Sequence, residues 1–406
     1  MRIGWRRRTH VPNPRPHRTP PAHRDKPSDS PIPFKAGCWD ESKMREWSEI
    51  ADEARRLDKK VHVGRVFEIA VEKGAELKPG DPARKFKGRV VYQGNMVKDE
   101  NWDAAIFSDL SSAPSSMEAA KAVDAYGLFP GNVVQQSDAA QAYTQSKLGG
   151  METWIRLPRD QLPKKWQHMK DPVCPLLLAL YGHPDSSGYW EKHCEKVLRA
   201  AGFTPIADWR SVFWHDKLKL LLAVYVDDFK MAGPEWAMKK GWALMQAGIQ
   251  MDQPSKAAKY LGCDHIEREV WIKPGGNPMN PDKDGSIKVR VLEYDMEQFL
   301  KQCVERYQEL AGPKGANLQR VATPFIDEAN EPSMNGGQPL ASGTLQPIAS
   351  KVLMKILYAA RMCRFDLLRG TCGLASLVTK WDIVCDRKLP RLVSYINSIL
   401  GVRLTS

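Results

Sequence analysis

The chain has 406 residues, 42% hydrophobic and 27% charged, the balance of a soluble globular protein with room for two or three domains. No apolar run reaches the roughly 18 residues of a membrane-spanning helix, and the Arg-rich N-terminus lacks the apolar segment of a secretory signal. A net charge of +12 favours a polyanionic partner, nucleic acid before an anionic membrane, with charge kept for solubility as the alternative.

Residues 1–35 are basic and rich in Pro and Arg, with Arg6-Arg7-Arg8 and Pro12, Pro14 and Pro16 among them, and a disordered leader is expected there. It could serve as a nucleic-acid arm, as an import patch, or as a solvated tail with no role. Trp39 to Leu57 repeats apolar residues at helical spacing, with Ser42 as N-cap. Val61 to Val71 reads as a strand, Pro79-Gly80 as a turn, and Lys85 to Tyr92 as a second strand. Side chains alternate along a strand, so Lys87 and Arg89 share one face, suited to a phosphate chain or to guarding a sheet edge. A helix over Ala113–Gly127 is capped by Ser115 or Ser116. The strand Asn132–Gln136 ends at Ser137-Asp138, and Trp154–Pro158 is another short strand. Gly188–Ala201 is helical with Gly202 as its stop, and Ser211–Trp214 pairs with Leu218–Val226. Trp236–Gly248 is an amphipathic helix, Lys259 to Ile266 a strand, Gly275–Gly285 a loop and Met296–Leu310 a helix. Lys351–Leu400 is helical, interrupted near Arg364-Phe365-Asp366 and at Pro390. The eight cysteines are scattered without a CxxC pair, so they read as reduced, mostly buried thiols, and no structural zinc site is expected.

One stretch carries chemistry. The apolar run Leu220–Val226 ends in Asp227 and Asp228, and a second short run leads to Gly233-Pro234. Both aspartates are turn formers, so a hairpin with the pair at its tip is expected. Adjacent carboxylates repel unless a cation or water lies between them. With Asp138, at another strand end, they offer hard oxygen ligands of the kind Mg²⁺ prefers. Two such ions about 4 Å apart would clamp the attacking and leaving oxygens of a phosphoryl displacement. Tyr143, five residues past Asp138, could return to the same pocket. Any one of these aspartates alone is as well explained as a turn or cap residue.

An ordered series of motifs resembles the reverse transcriptase of copia-type LTR retrotransposons. The family's Y-V-D-D box is present as Tyr225-Val226-Asp227-Asp228, and its D-x-x-x-A-[FY] box as Asp138 with Ala142-Tyr143. Lys87-Gly88-Arg89-Val90-Val91 is similar to K-A-R-L-V, and Ala179-Leu180-Tyr181-Gly182 with Trp190 to A-L-Y-G. Gly202-Phe203 with Asp208, Tyr260-Leu261-Gly262, Ala322-Thr323-Pro324-Phe325 and Leu357-Tyr358-Ala359-Ala360 with Arg364-Phe365-Asp366-Leu367 follow in the family's order.

The resemblance implies an α+β right-hand polymerase fold, with an antiparallel palm sheet, fingers and a helical thumb or connection region. It divides the chain into a leader at 1–35, fingers and palm at 36–270, a loop-rich thumb or connection segment at 271–349, and a helical connection at 350–406. The family's ribonuclease H domain is expected to be absent, and a polyprotein fragment or degenerate genomic copy is expected. Asp138, Asp227 and Asp228 would be catalytic and hold two Mg²⁺ ions, or Mn²⁺ in their place. Tyr143 would lie under the sugar and reject a 2′-hydroxyl, while Lys87 and Arg89 would face the triphosphate. The partners implied are an RNA or DNA template-primer and deoxynucleoside triphosphates, without a membrane. The setting implied is intracellular, in the cytoplasm within a virus-like particle or in the nucleus. The primer 3′-oxygen would attack the α-phosphorus, one ion lowering its pKa and the other steadying pyrophosphate.

The family's L-K-Q after A-L-Y-G is replaced by His183-Pro184-Asp185, which puts Asp185 at a nucleotide-binding position. An acid beside a triphosphate is unfavourable unless it points away. A decayed or co-opted nucleic-acid-binding remnant of the same fold, and a two-metal nuclease, are the alternatives. Tyr143 and the paired Asp227-Asp228 favour polymerase over nuclease.

Overall fold

The computed structural model describes residues 37–73, 84–107, 112–273, 286–315, 317–326 and 340–406, with only the backbone at 70–73, 85–87 and 314. The expected leader, the Pro79-Gly80 turn and the Gly275–Gly285 loop lie outside the described residues. The chain opens with β1 (Arg45–Glu46), α1 (Trp47–Arg56), β2 (Val61–Lys73), β3 (Lys85–Tyr92) and β4 (Lys98–Asp99). There follow α2 (Met117–Gly127), β5 (Asn132–Asp138), β6 (Glu152–Arg156), β7 (Pro172–Pro175) and α3 (Ser186–Ala200). Next come β8 (Thr204–Pro205), β9 (Val212–His215), β10 (Leu220–Tyr225), β11 (Asp228–Pro234) and α4 (Glu235–Gln246). Then β12 (Ser255–Lys256), β13 (Lys259–Tyr260), β14 (Cys263–Ile272) and β15 (Ile287–Asp295) precede α5 (Glu297–Ala311). The chain closes with α6 (Gln346–Met362), α7 (Leu368–Ala375), α8 (Ile383–Ser398) and β16 (Leu404–Thr405).

These elements make three sheets in a mixed α+β architecture. The first runs β1-β7-β6-β2-β3, with β4 also on β2. Its β2–β6 pairing is parallel. The second, antiparallel throughout, runs β12-β5-β11-β10-β9-β8, and the third β13-β14-β15-β16. Alternation along β11 sorts its side chains to two faces of the second sheet. Phe229 and Met231 pack with Trp190 and Leu198 of α3 and Trp242 of α4. Ala232 meets Val123 of α2 on the opposite face. The third sheet has its own core, where Leu292 and Tyr294 pack with Leu300, Leu353, Ile356 and Leu392 from the C-terminal helices.

Three expectations need correction. Ser42 does not cap a long helix: its N–H donates to Asp40 in a 3-10 turn, and α1 starts only at Trp47. Lys259–Ile266 is not one strand, because positive φ at Leu261 (48°) and Gly262 (76°) folds it into the β13–β14 hairpin. Pro390 does not interrupt α8. Its missing N–H removes one bond of the helix ladder, but Leu389, Leu392, Val393 and Ile396 are fully buried around it and hold the helix together.

The second and third sheets meet at a buried charge network. Lys230 and Asp124 are 0% and 1% exposed, with Nζ 2.5 and 2.6 Å from the two carboxylate oxygens. Nζ also lies 3.1 Å from Nε2 of His265 and 4.6 Å from the centre of the Tyr260 ring. The hydroxyl of Tyr294 donates to the same carboxylate at 3.1 Å. Nδ1 of His265 lies 3.0 Å from the Cys263 carbonyl, and its Nε2 3.3 Å from the Asp124 carboxylate. Burial alone pushes the Asp124 carboxyl up, but bonds and charge from His265 and Lys230 outweigh it and hold it below the usual range. Asp124→Ala strands the ammonium and is expected to cost about 3–5 kcal/mol in urea unfolding, whereas Lys230→Met with Asp124→Leu should return to wild-type stability or better.

Candidate active site

The site grows from the hairpin of β10 and β11. Tyr225 pairs with Asp228, which leaves Val226 and Asp227 as a two-residue turn. Val226 has φ +58° and Asp227 has no positive φ, the pattern of a type II′ turn with valine where glycine is preferred. A β-branched residue there costs on the order of 1–3 kcal/mol and persists only where its surroundings fix it. Here the buried indole of Trp190 donates to the Val226 carbonyl at 2.7 Å.

The neighbouring strand brings the third carboxylate. β5 pairs with β11 over seven residues, from Asn132 opposite Pro234 to Asp138 opposite Asp228. Directly opposed residues have Cβ atoms about 4.5–5.5 Å apart, so the two carboxyls meet. The Ala139 N–H donates to the Asp227 carbonyl at 2.7 Å and ties the turn to the end of β5. Burial pushes the Asp228 carboxyl up to about 7, with the charges of Asp227 and Asp138 adding to it and a hydrogen bond to Asp138 completing the effect. The Asp228 carboxyl is thus held toward its protonated form beside the other two. Hard oxygen donors crowded in this way fit a divalent cation in their chemistry, which would take the place of that proton. Among the described residues no three His, Cys, Asp or Glu side chains are already gathered as a metal cage.

Beside the carboxylates lies an aromatic pair. After Asp138 the chain bends through Gln141 at φ +51° into a 3-10 turn carrying Tyr143. The Tyr143 ring lies 4.6 Å from that of Tyr181. Burial raises the Tyr143 phenol, and the charge of Asp227 adds to that. Arg89 of β3 sits with its guanidinium 5.5 Å from the centre of the Tyr181 ring. Asp138, Asp227, Asp228, Tyr143 and Arg89 are therefore brought to one neighbourhood. Lys87 lies opposite Val71 in the sheet, and its side chain is outside the described residues.

Asp185 is placed four residues past Tyr181, before α3. It is 7% exposed, at the start of α3, and its N–H donates to Nδ1 of His183 at 3.2 Å. Burial pushes His62 down, and the charge of Asp185 opposes that shift more than any other group. The charge of Asp185 also raises the Tyr189 phenol, after burial. Sequence reasoning passed over Tyr181 as a motif residue and Lys230 entirely. The signal for Lys230 was present: a lone cation inside an apolar run must find a partner if the strand is buried on both faces.

Residues 75–273 match the family described as reverse transcriptase (RNA-dependent DNA polymerase). A comparison with curated proteins finds no match.

The raised Asp228 carboxyl has a consequence for stability. The folded state raises the Asp228 pKa above the unfolded value of about 3.9, so its contribution is full below that value and is lost as pH rises through about 7. Without divalent metal, urea unfolding should show lower stability at about pH 8 than at about pH 5. Asp228→Asn should recover about 1–2 kcal/mol at the higher pH, the figure being reduced for solvent screening of a partly exposed group.

Proposed function

From the premise that residues 75–273 are a reverse transcriptase domain, we propose that the protein is the RNA-directed DNA polymerase of a copia-type element, extending a primer 3′ end by nucleotidyl transfer. The observation that carries this reading is the cross-strand meeting of Asp138 with Asp228 beside the turn residue Asp227. In this reading the second sheet with α2, α3 and α4 is the palm. The first sheet is the fingers, and the third sheet with α5 to α8 is the thumb or connection region.

Asp138, Asp227 and Asp228 would hold Mg²⁺. Bound divalent ions would lower the pKa of the primer 3′-hydroxyl and offset charge on the departing pyrophosphate. The chain's own residues do the positioning. Tyr143 presents its ring beneath the deoxyribose, where a 2′-hydroxyl would collide with it. Arg89, exposed on β3, offers a fixed positive charge to the triphosphate. Asp185 offers it little opposition, because the residue is buried at the start of α3. That burial supports an active enzyme over a decayed remnant, and the aromatic pair at the carboxylates supports a polymerase over a nuclease. A positively charged chain suits a template held through its backbone without sequence preference.

Primer extension on an RNA template with Mg²⁺ tests the reading. The wild-type chain should incorporate deoxynucleotides, and Asp227→Asn should lower the rate at least about a thousandfold, as expected for removing several kcal/mol of transition-state stabilisation. Incorporation by neither protein would sink the enzyme, and retained template binding would then identify a nucleic-acid binder.

A further inference from the structure

Tyr181 occupies a place that the chemistry above leaves unexplained. Its ring has two neighbours from different parts of the fold. Arg89, from the first sheet, faces it at 5.5 Å, and Tyr143, from the end of β5, meets it at 4.6 Å with the planes 53° apart. Among the described residues Arg89 has no ion-pair partner, so the aromatic face is what orients its guanidinium.

The backbone beneath this ring is fixed from several sides. The Tyr181 carbonyl accepts from the N–H of Tyr92, the last residue of β3, at 2.7 Å. Ser186 Oγ accepts from the Leu180 N–H at 2.9 Å and donates to the Leu180 carbonyl at 2.8 Å, so both polar groups of the preceding residue are held. Gly182 follows at φ +88°, and a Cβ there would come within 2.2 Å of the Tyr92 carbonyl oxygen. The ring therefore stands on a rigid base tied to the strand that carries Arg89. Burial pushes its phenol up to about 12, with Asp227 contributing, so it stays neutral and adds no charge to the pocket.

We infer that Tyr181 is a positioning residue for the incoming nucleotide, its ring wedged between Arg89 and Tyr143 so as to fix the spacing of the triphosphate and sugar contacts; this rests on the polymerase reading. The ring face does the work, and the hydroxyl is secondary. A side chain of similar bulk without a π face leaves Arg89 unoriented and lets Tyr143 tilt, so the nucleotide binds less tightly and a 2′-hydroxyl is tolerated better.

The test is steady-state primer extension by the full chain on an RNA template with Mg²⁺, comparing deoxy- and ribonucleotides. Tyr181→Leu should raise the deoxynucleotide KM about tenfold and narrow the deoxy-over-ribo preference about tenfold, with kcat changed by less than about threefold. Tyr181→Phe should restore most of both losses. In an Arg89→Met background, Tyr181→Leu should add little further to KM, because the two act as a unit. Thermal unfolding checks that each variant is folded, and Tyr181→Met supplies a second non-aromatic side chain if the leucine variant is not. A folded Tyr181→Leu or Tyr181→Met enzyme with wild-type KM and discrimination overturns the inference alone. So does a loss confined to kcat or to thermal stability, which marks a structural role. A wild-type chain that incorporates nothing overturns the polymerase reading, and this inference with it.

Discussion

Two carboxyls facing each other across a strand pair, with a third on the adjoining turn, are the constraint around which the second sheet is built. Asp138 and Asp228 gain nothing from their own proximity. They stay together because the seven-residue register of β5 on β11 cannot shift. A slip of one residue would turn Phe229 and Met231 out of the core they share with Trp190, Leu198 and Trp242, and would turn Lys230 into it. Apolar burial thus maintains an electrostatic strain that a proton or a cation relieves.

Helix α3 links this strain to the rest of the site. At its first residue, Ser186 holds both backbone groups of Leu180, immediately before Tyr181. One turn later, Trp190 holds the carbonyl of Val226, immediately before Asp227. Two residues one turn apart on the same helix therefore set the position of the aromatic ring and of the carboxylate turn together. Movement of either would have to carry the helix, which is anchored by the buried Cys194 and Leu198.

The hairpin was legible in the sequence because its signals are local: an apolar run, two turn-forming aspartates, a second apolar run. So was the strand Lys85–Tyr92, found where it was expected. The parallel pairing of β2 with β6 was not, since it joins segments about 90 residues apart and leaves no local mark. The turn at Leu261–Gly262 was half visible: glycine favours positive φ, but nothing in a leucine announces it. At Pro390 a sound local rule lost to tertiary burial. Asp185 marks another limit. Its presence in place of an amide could be read, but its burial depends on how the start of α3 packs, which no local pattern gives.

The Lys230–Asp124 pair adds a historical dimension. Because either charge alone would be stranded in the interior, neither position can drift independently. A descendant chain that exchanged either residue for an apolar one would pass through a weakened intermediate unless both changed at once. With His265 and Tyr294 sharing the same carboxylate, four positions spread over 170 residues are bound into one heritable unit. A change at any one of the four therefore acts on the partners of the other three.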